Sequence, residues 1–282
     1  MSRPRPRPSG PGTEVRRYTD AGELWPILEP LVQVEPVLLS VLASTVNGCL
    51  RVPLPQASFF LVERPGRPLF PAMHTPGHLL HLPLSGPGAA AALARFVFAE
   101  GLRPGGVGGQ QDSVTAFADT WCSLTGLNQR VVMRMGVHDL PGPPVLRRPA
   151  SGRARVATIT DTTLVDGWLA AFSAETGVPA TTSALFLRDR RVRLWCDPEP
   201  VAMACHSVPA GGVSRVSYVY TPPPARGHGY ASAVTAAVST ALVESGLRCM
   251  LYTDLANPTS NGIYAAIGYR RLGETVDVEF TG

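Results

Sequence analysis

From residue 21 to about residue 46, apolar side chains recur at three- and four-residue spacing, at Leu24, Ile27, Leu28, Leu31 and Val32, which predicts a Pro-interrupted helical region. Strand-like runs follow at 58–62, 68–73 and 78–84, bounded by turn signals, and they predict a small antiparallel sheet. Helices are predicted over 88–100, stopped by Gly101, and over 110–124, stopped near Gly126; residues 130–137 read as a closing strand. GlyGlyValGlyGly at 105–109 lacks the spacing of a dinucleotide-binding loop and reads as a turn.

Apolar periodicity lapses over 139–153, where Pro, Gly and Arg take over, and a linker is predicted there. Beyond it the pattern is cleaner. A strand at 155–160 leads to a helix at 161–175 with Leu164, Trp168, Leu169 and Phe172 on one face and Gly177 as its stop. Strands at 191–196, 201–208 and 213–221 read as an antiparallel meander, followed by a long Ala-rich helix at 228–245. A short strand at 249–253, a helix at 258–267 and a strand at 269–280 complete the half.

The 282 residues and 29.9 kDa suit two domains, and 45% hydrophobic against 16% charged residues is a globular balance. No apolar run reaches membrane-spanning length. The N-terminus, MSRPRPRPSGPG, alternates Arg with Pro without the apolar stretch of a secretory signal, so residues 1–17 read as a flexible tail on a cytoplasmic protein. The chain contains no Lys, which excludes P-loop, protein-kinase and Schiff-base chemistry in their usual forms. The net charge of +4 is concentrated in the tail at Arg3, Arg5, Arg7, Arg16 and Arg17, so neither nucleic acid nor a membrane is the expected partner. Five cysteines without a CxxC pair argue against a disulfide framework or zinc knuckle and read as small buried hydrophobes. His74, His78 and His81 have no acidic or thiol neighbour to complete a metal site, and no metal is expected. Trp121, Trp168 and Trp195 sit among apolar neighbours and read as core.

The stretch YVYTPPPARGHGYAS, from Tyr218 to Ser232, places a strand, a Pro-rich turn and two glycines, Gly227 and Gly229, before the long helix. Glycines there let the backbone approach a ligand closely, and the first-turn N–H groups with the helix dipole favour an anion such as a pyrophosphate. Arg226 adds a fixed positive charge. Downstream, YTDLANPTSNGIYAAIGYRR contains Asn257, Tyr264, Gly268 and Tyr269. Together these stretches resemble the GNAT acyl-CoA-dependent N-acyltransferase superfamily, in which Arg226, Gly229 and Ala231 fit the [Q/R]-x-x-G-x-[G/A] loop and the later residues fit the Asn, Tyr and Gly-aromatic pattern. The element order of residues 154–282 is similar to the family's as well.

The resemblance implies an α/β (α+β) fold of two tandem GNAT-like lobes, each a mixed sheet flanked by helices. A degenerate N-terminal lobe would occupy 18–138 and a catalytic lobe 154–282. The N-terminal lobe has LSGPGAAA before its first long helix, without the loop Arg or Gln and without the later Asn and Tyr. Acetyl-CoA or a related acyl-CoA is the implied co-substrate, with a small-molecule amine as acceptor and a monomer or homodimer as the assembly. Backbone groups of Val219, Tyr220 and Thr221 would bind the pantetheine arm. Arg226, Gly227, His228, Gly229, Tyr230, Ala231 and Ser232 would hold the pyrophosphate, and Asn257 the amide-rich arm. Tyr264 would be the acid for the departing thiolate, its alternative being a helix aromatic packed in the core. The base stays open between His206 and Glu175. Acylation of a protein N-terminus or Lys, and a non-catalytic acyl-CoA sensor, are the alternative functions.

Overall fold

The computed structural model describes residues 7–8, 12–63, 66 and 69–282. They form a mixed α/β protein that divides into two units, Met1–Met135 with Gly273–Gly282, and Gly136–Leu272.

In the first unit, β1 (Arg7–Pro8) pairs with β2 (Glu14–Tyr18), and β2 runs antiparallel to β3 (Ser58–Glu63). The expected flexible tail is corrected here: Arg16 lies opposite Leu61 and Arg17 opposite Phe60, with Arg17 Nε donating to Ser58 Oγ at 3.1 Å. Buried Val15 and Tyr18 anchor this strand, and Arg16 Nε donates to Glu14 at 2.6 Å, so its arginines are sheet residues with partners. Residues 1–6 and 9–11 of the expected tail lie outside the described residues. The sheet continues antiparallel through β4 (Phe70–His74) to β5 (Leu80–Leu82). The expected interrupted helical region is two helices, α1 (Ala21–Val34), capped by Asp20 accepting from Gly22 N at 2.7 Å, and α2 (Ser40–Arg51).

Helices α3 (Pro87–Ala99) and α4 (Gln111–Thr125) cover the sheet, and Gly126 ends α4 in the left-handed region at φ 76°. Between them the expected turn at 105–109 is a buried strand, β6 (Gly106–Gly109). It pairs parallel with β5 and antiparallel with the last strand of the chain, β13 (Arg270–Thr281). Its glycines are there for space. A Cβ on Gly106 would meet the Val278 carbonyl oxygen at 2.2 Å, and one on Gly109 the Leu82 carbonyl oxygen at 2.1 Å. A strand of three glycines and one valine carries no alternating apolar pattern, which is why its sequence resembles a turn. Trp121 anchors the core, stacked on Phe117 at 6.1 Å and on Phe280 at 5.8 Å.

Strand β7 (Asn128–Leu140) runs three residues beyond its expected end and into the expected linker. Its Asp139 and Leu140 are buried, and Asp139 accepts from Arg248 Nε at 2.9 Å. In the second unit β8 (Arg153–Val156) leads through a 3₁₀ turn (Ile159–Asp161) to α5 (Thr162–Thr176) and to α6 (Ala184–Arg188), a short helix absent from the sequence reading. Strands β9 (Val192–Cys196), β10 (Pro200–His206) and β11 (Val213–Tyr220) extend the antiparallel sheet from β8. Helix α7 (Tyr230–Glu244) then leads to β12 (Arg248–Asp254), which pairs parallel with β11, and α8 (Pro258–Ile267) follows. The expected lobe at 154–282 is therefore displaced: the second unit begins at Gly136 and ends at Leu272, and Gly273–Gly282 belong to the first unit, where β13 borders β6.

The entry to α5 is set by one carboxylate. Asp161 accepts from Arg155 through both oxygens, at 2.7 and 2.8 Å, and from Thr158 N at 2.8 Å. The Arg155 hydrogen bonds foremost hold its pKa down to about 2. A carboxylate depressed in the folded state stabilises above its unfolded pKa and loses that contribution as pH falls through the folded one. Asp161→Asn is therefore expected to cost about 1–2 kcal/mol at neutral pH, a loss discounted for the half-exposed Arg155, and only a small fraction of that at pH 2. Urea denaturation of both proteins at pH 7 and pH 2 measures the difference.

Candidate functional site

Strand β11 is bonded differently on its two sides. Towards β10 its pairing reaches Tyr220, opposite Met203. Towards β12 the parallel ladder covers only Val213, Ser214 and Arg215, opposite Arg248, Cys249 and Met250. In the first unit, by contrast, the parallel β5–β6 ladder runs through the whole of β5, from Leu80 opposite Val107 to Leu82 opposite Gly109. The second unit thus has a stretch of strand, from Val216 to Tyr220, that has left its parallel neighbour.

A bulge accompanies this parting. Val216 and Val219 are three apart yet pack on the same cluster, which strict alternation would forbid. A register shift between Met203 and Cys205, and Tyr218 at φ 50°, absorb the extra residue. A left-handed tyrosine is a strained conformation, of order 1–3 kcal/mol, and such residues cluster at functional sites. Tyr218 is held there edge-on by Phe172 at 5.4 Å and Phe186 at 5.7 Å.

After Tyr220 the chain enters the Pro-rich turn. Arg226 Nε donates to the Thr221 carbonyl at 2.9 Å, and its Nη2 donates to both oxygens of Glu175 at 2.7 and 2.8 Å. Tyr220 Oη donates to the same Glu175 at 3.2 Å. The hydroxyl of Thr221 is buried and has no hydrogen-bond partner. Gly227 and Gly229 stand at φ 84° and 80°, and no atom lies within 4 Å of a Cβ built on Gly227, so backbone conformation and not crowding requires glycine there. Gly229 caps α7 without a side-chain bond, and the first helical bond runs from Ala233 N to the Gly229 carbonyl. Helix geometry leaves the N–H groups of Tyr230, Ala231 and Ser232 without intrahelical acceptors, facing outward from the positive end of the dipole.

His228 stacks on Tyr230 at 5.5 Å, and Tyr230 Oη donates to Asp197 Oδ2 at 2.6 Å. Ser151 also donates to this carboxylate, and these two bonds, that of Ser151 foremost, hold Asp197 below the usual carboxylate range. Tyr230 is thereby fixed against β9's end by its hydroxyl.

Asn257 caps α8, its Oδ1 accepting from Ser260 N at 3.1 Å, with Pro258 next in the first turn. The side chain of Asn261 locks the same turn, accepting from Thr253 Oγ1 at 2.6 Å and donating to the carbonyls of Asp254 and Asn257. Sequence reading passed over Asn261, although an Asn four residues after a capping Asn is a signal for such a lock. Tyr264, on α8, is half-buried and meets Tyr269 edge-on at 6.1 Å. Burial pushes its phenol up to about 12. Val219, Tyr230 and Tyr264 all flank one buried cluster, so the structure brings the parting strand, the helix N-terminus and this phenol to a common core.

Of the two candidate bases, Glu175 is tied to Arg226 and Tyr220, a partnership between residues 51 apart in sequence that no local pattern signals. His206 Nδ1 lies 3.1 Å from the Ser207 carbonyl and 3.2 Å from Ser214 Oγ, and burial foremost lowers its pKa. Met203 and Cys205 are fully buried.

Residues 196–278 match the FR47-like protein family. No curated protein matches the chain. Among solved structures, a GCN5-related N-acetyltransferase from Sphaerobacter thermophilus is 16% identical, with 95% of each chain covered and a TM-score of 0.60. An acetyltransferase of the GNAT family from Colwellia psychrerythraea is 12% identical over 95% of this chain and 99% of its own, at 0.58. A tandem GNAT protein from the clavulanic acid biosynthesis pathway is 14% identical over 96% and 99%, at 0.56. The chain thus has the fold of these GNAT acetyltransferases, and within its second half residues 196–278 match the FR47-like family.

Proposed function

We propose that the chain transfers an acetyl or other short acyl group from acyl-CoA to the amine of a small molecule. The observation that carries this reading is the early end of the β11–β12 ladder at Arg215, five residues before the loop that leads to Gly227 and Gly229. Val219 and Tyr220 lie on the parted stretch, where their backbone groups are available to an amide-rich arm as an added strand would be. The buried, unpartnered hydroxyl of Thr221 and the open backbone at Gly227 fit such a ligand. The N–H groups of Tyr230, Ala231 and Ser232, with Arg226 beside them, suit its pyrophosphate. Asn257 adds a side-chain amide at the start of α8.

Acyl-CoA would supply the acyl group as a thioester. A backbone N–H at Val219 or Tyr220 would stabilise the oxyanion that forms when an amine adds to the carbonyl. As the C–S bond breaks, Tyr264 gives its proton to the sulfur, and the proton lost by the amine restores the phenol. Transfer is direct, with no acylated residue.

Calorimetric titration with acetyl-CoA, followed by thiol release with a panel of small amines, tests the reading. Binding in the micromolar range with amine-dependent thiol release is expected. Absence of both from the folded protein overturns it, and binding without release with any amine favours a sensor.

Arg226 offers the ligand a charge that Glu175 already half-neutralises. The pair is exposed on both sides, so it is worth no more than about 1 kcal/mol. Glu175→Gln keeps the Arg226 bond to Thr221 and removes the competing charge. Its expected effect is a Kd for acetyl-CoA about 2- to 5-fold lower, read by the same titration.

A further inference from the structure

The last paired residue of the β11–β12 ladder is Arg215, whose guanidinium has no acidic partner among the described residues. Arg215 is half-buried, its Nη1 is sealed from solvent without a hydrogen-bond partner, and no hydrogen bond from its guanidinium is made among the described residues. Its backbone is fully used, the N–H donating to Ser207 Oγ at 3.0 Å and the carbonyl accepting from Ser207 N at 2.9 Å, so the strand holds the side chain's root in place. The groups that act on it electrostatically are the phenols of Tyr252 and Tyr218, and no carboxylate is among them. Arg155, Arg191 and Arg248, by contrast, have acidic partners in Asp161, Asp189 and Asp139.

A guanidinium stays charged at any working pH, and leaving it desolvated without a counter-ion costs free energy that folding alone does not return. Such a cost persists where a ligand supplies the missing charge. Arg215 stands where β11 and β12 part, on the strand that the proposed function gives to the acyl donor, four residues before Val219. Four residues of strand span about 13 Å.

We propose that Arg215 binds a carboxylate carried by one of the two reactants, at a position several bonds from the atoms that react. This rests on the proposed acyl transfer for its placement, although not for its test. The planar fork of a guanidinium matches a carboxylate through two parallel hydrogen bonds. One cation flanked by neutral phenols balances a single negative charge, which favours a carboxylate over a phosphate dianion. The carboxylate belongs either to the acceptor, an amino acid with its acid group set apart from the amine, or to a dicarboxylic acyl chain.

Thermal unfolding of the purified protein with glutarate, against glutaramide as the neutral analogue and Arg215→Met as the variant, reads the site without any turnover. At ten times its Kd, glutarate is expected to raise the midpoint of the wild type by about 3 °C more than glutaramide does, and to lose that advantage in Arg215→Met. An equal response to both compounds in the wild type, or a glutarate advantage that survives in Arg215→Met, overturns the proposal. The first comparison stands even if the variant does not fold. Acetyl-CoA in a parallel arm separates this result from the donor assignment, since its failure to bind leaves the glutarate readout intact. Turnover then distinguishes the two sources. A carboxylate on the acyl chain makes succinyl-CoA outperform acetyl-CoA at least tenfold in kcat/KM with one amine, and a carboxylate on the acceptor makes 5-aminovalerate outperform butylamine with one donor. Arg215→Met is expected to remove whichever preference is found; a preference unchanged by it also overturns the proposal.

Discussion

Tyr264→Phe is expected to lower kcat about 100-fold while leaving KM and the affinity for acetyl-CoA unchanged. The substitution removes one oxygen and keeps the ring that meets Tyr269 edge-on, so packing on the shared core survives. The size of the effect follows from the phenol's environment. Burial pushes it up to about 12, above the thiol it would protonate, whose ordinary pKa is about 8.5. Donation to a free thiolate is therefore uphill, and it contributes only when coupled to the loss of the amine's proton, which places the effect at the low end of general-acid catalysis. The pH profile carries the sign. A phenol whose neutral form is favoured stays protonated through the alkaline range, so Tyr264 produces no fall in rate below about pH 11. Steady-state kinetics beside a titration of the variant decides the matter. An unchanged kcat would make Tyr264 a packing residue.

Arg226→Glu combined with Gly229→Asp is expected to weaken acetyl-CoA at least 100-fold without unfolding the protein. The first change places a carboxylate beside Glu175, where Arg226 now donates two hydrogen bonds. The second exploits the left-handed conformation at φ 80°, which Asp tolerates better than most residues, to set an anion at the N-terminus of α7. That carboxylate occupies the charge the helix would offer a pyrophosphate. Repulsion from both positions acts on the same ligand group, and roughly 1.4 kcal/mol from each accounts for the factor of 100. Titration of the double variant, with circular dichroism to establish its fold, measures it. Affinity within threefold of wild type would remove the loop from the site.

Where local chemistry decides structure, the sequence was legible. Asn257 before Pro258, with Gly268 at the far end, delimits α8 at the residues where it is found, because cap, first-turn Pro and left-handed stop act within a few residues. Gly126 and Gly177 end α4 and α5 for the same reason. The loop from Arg226 to Ser232 was visible because backbone conformation and helix geometry impose its glycines. What escaped depends on residues far apart in the chain. Strand β6 is glycine because β13 and β5 crowd it from both sides, and neither neighbour is near it in sequence. Arg16 and Arg17 read as tail because their strand is recognised by its partner β3 more than by its own composition. The pairing of Arg226 with Glu175, and the isolation of Arg215, are properties of the folded chain alone.

The placement of Gly273–Gly282 in the first unit has a consequence for synthesis on the ribosome. Val276 to Glu279 close one side of β6, and they are translated only after every residue of the second unit. Domains ordinarily fold in the order of their emergence. Here the earlier unit must wait, holding the edge of β6 unpaired while the later unit's residues are made, and the sheet begun first is the one completed last.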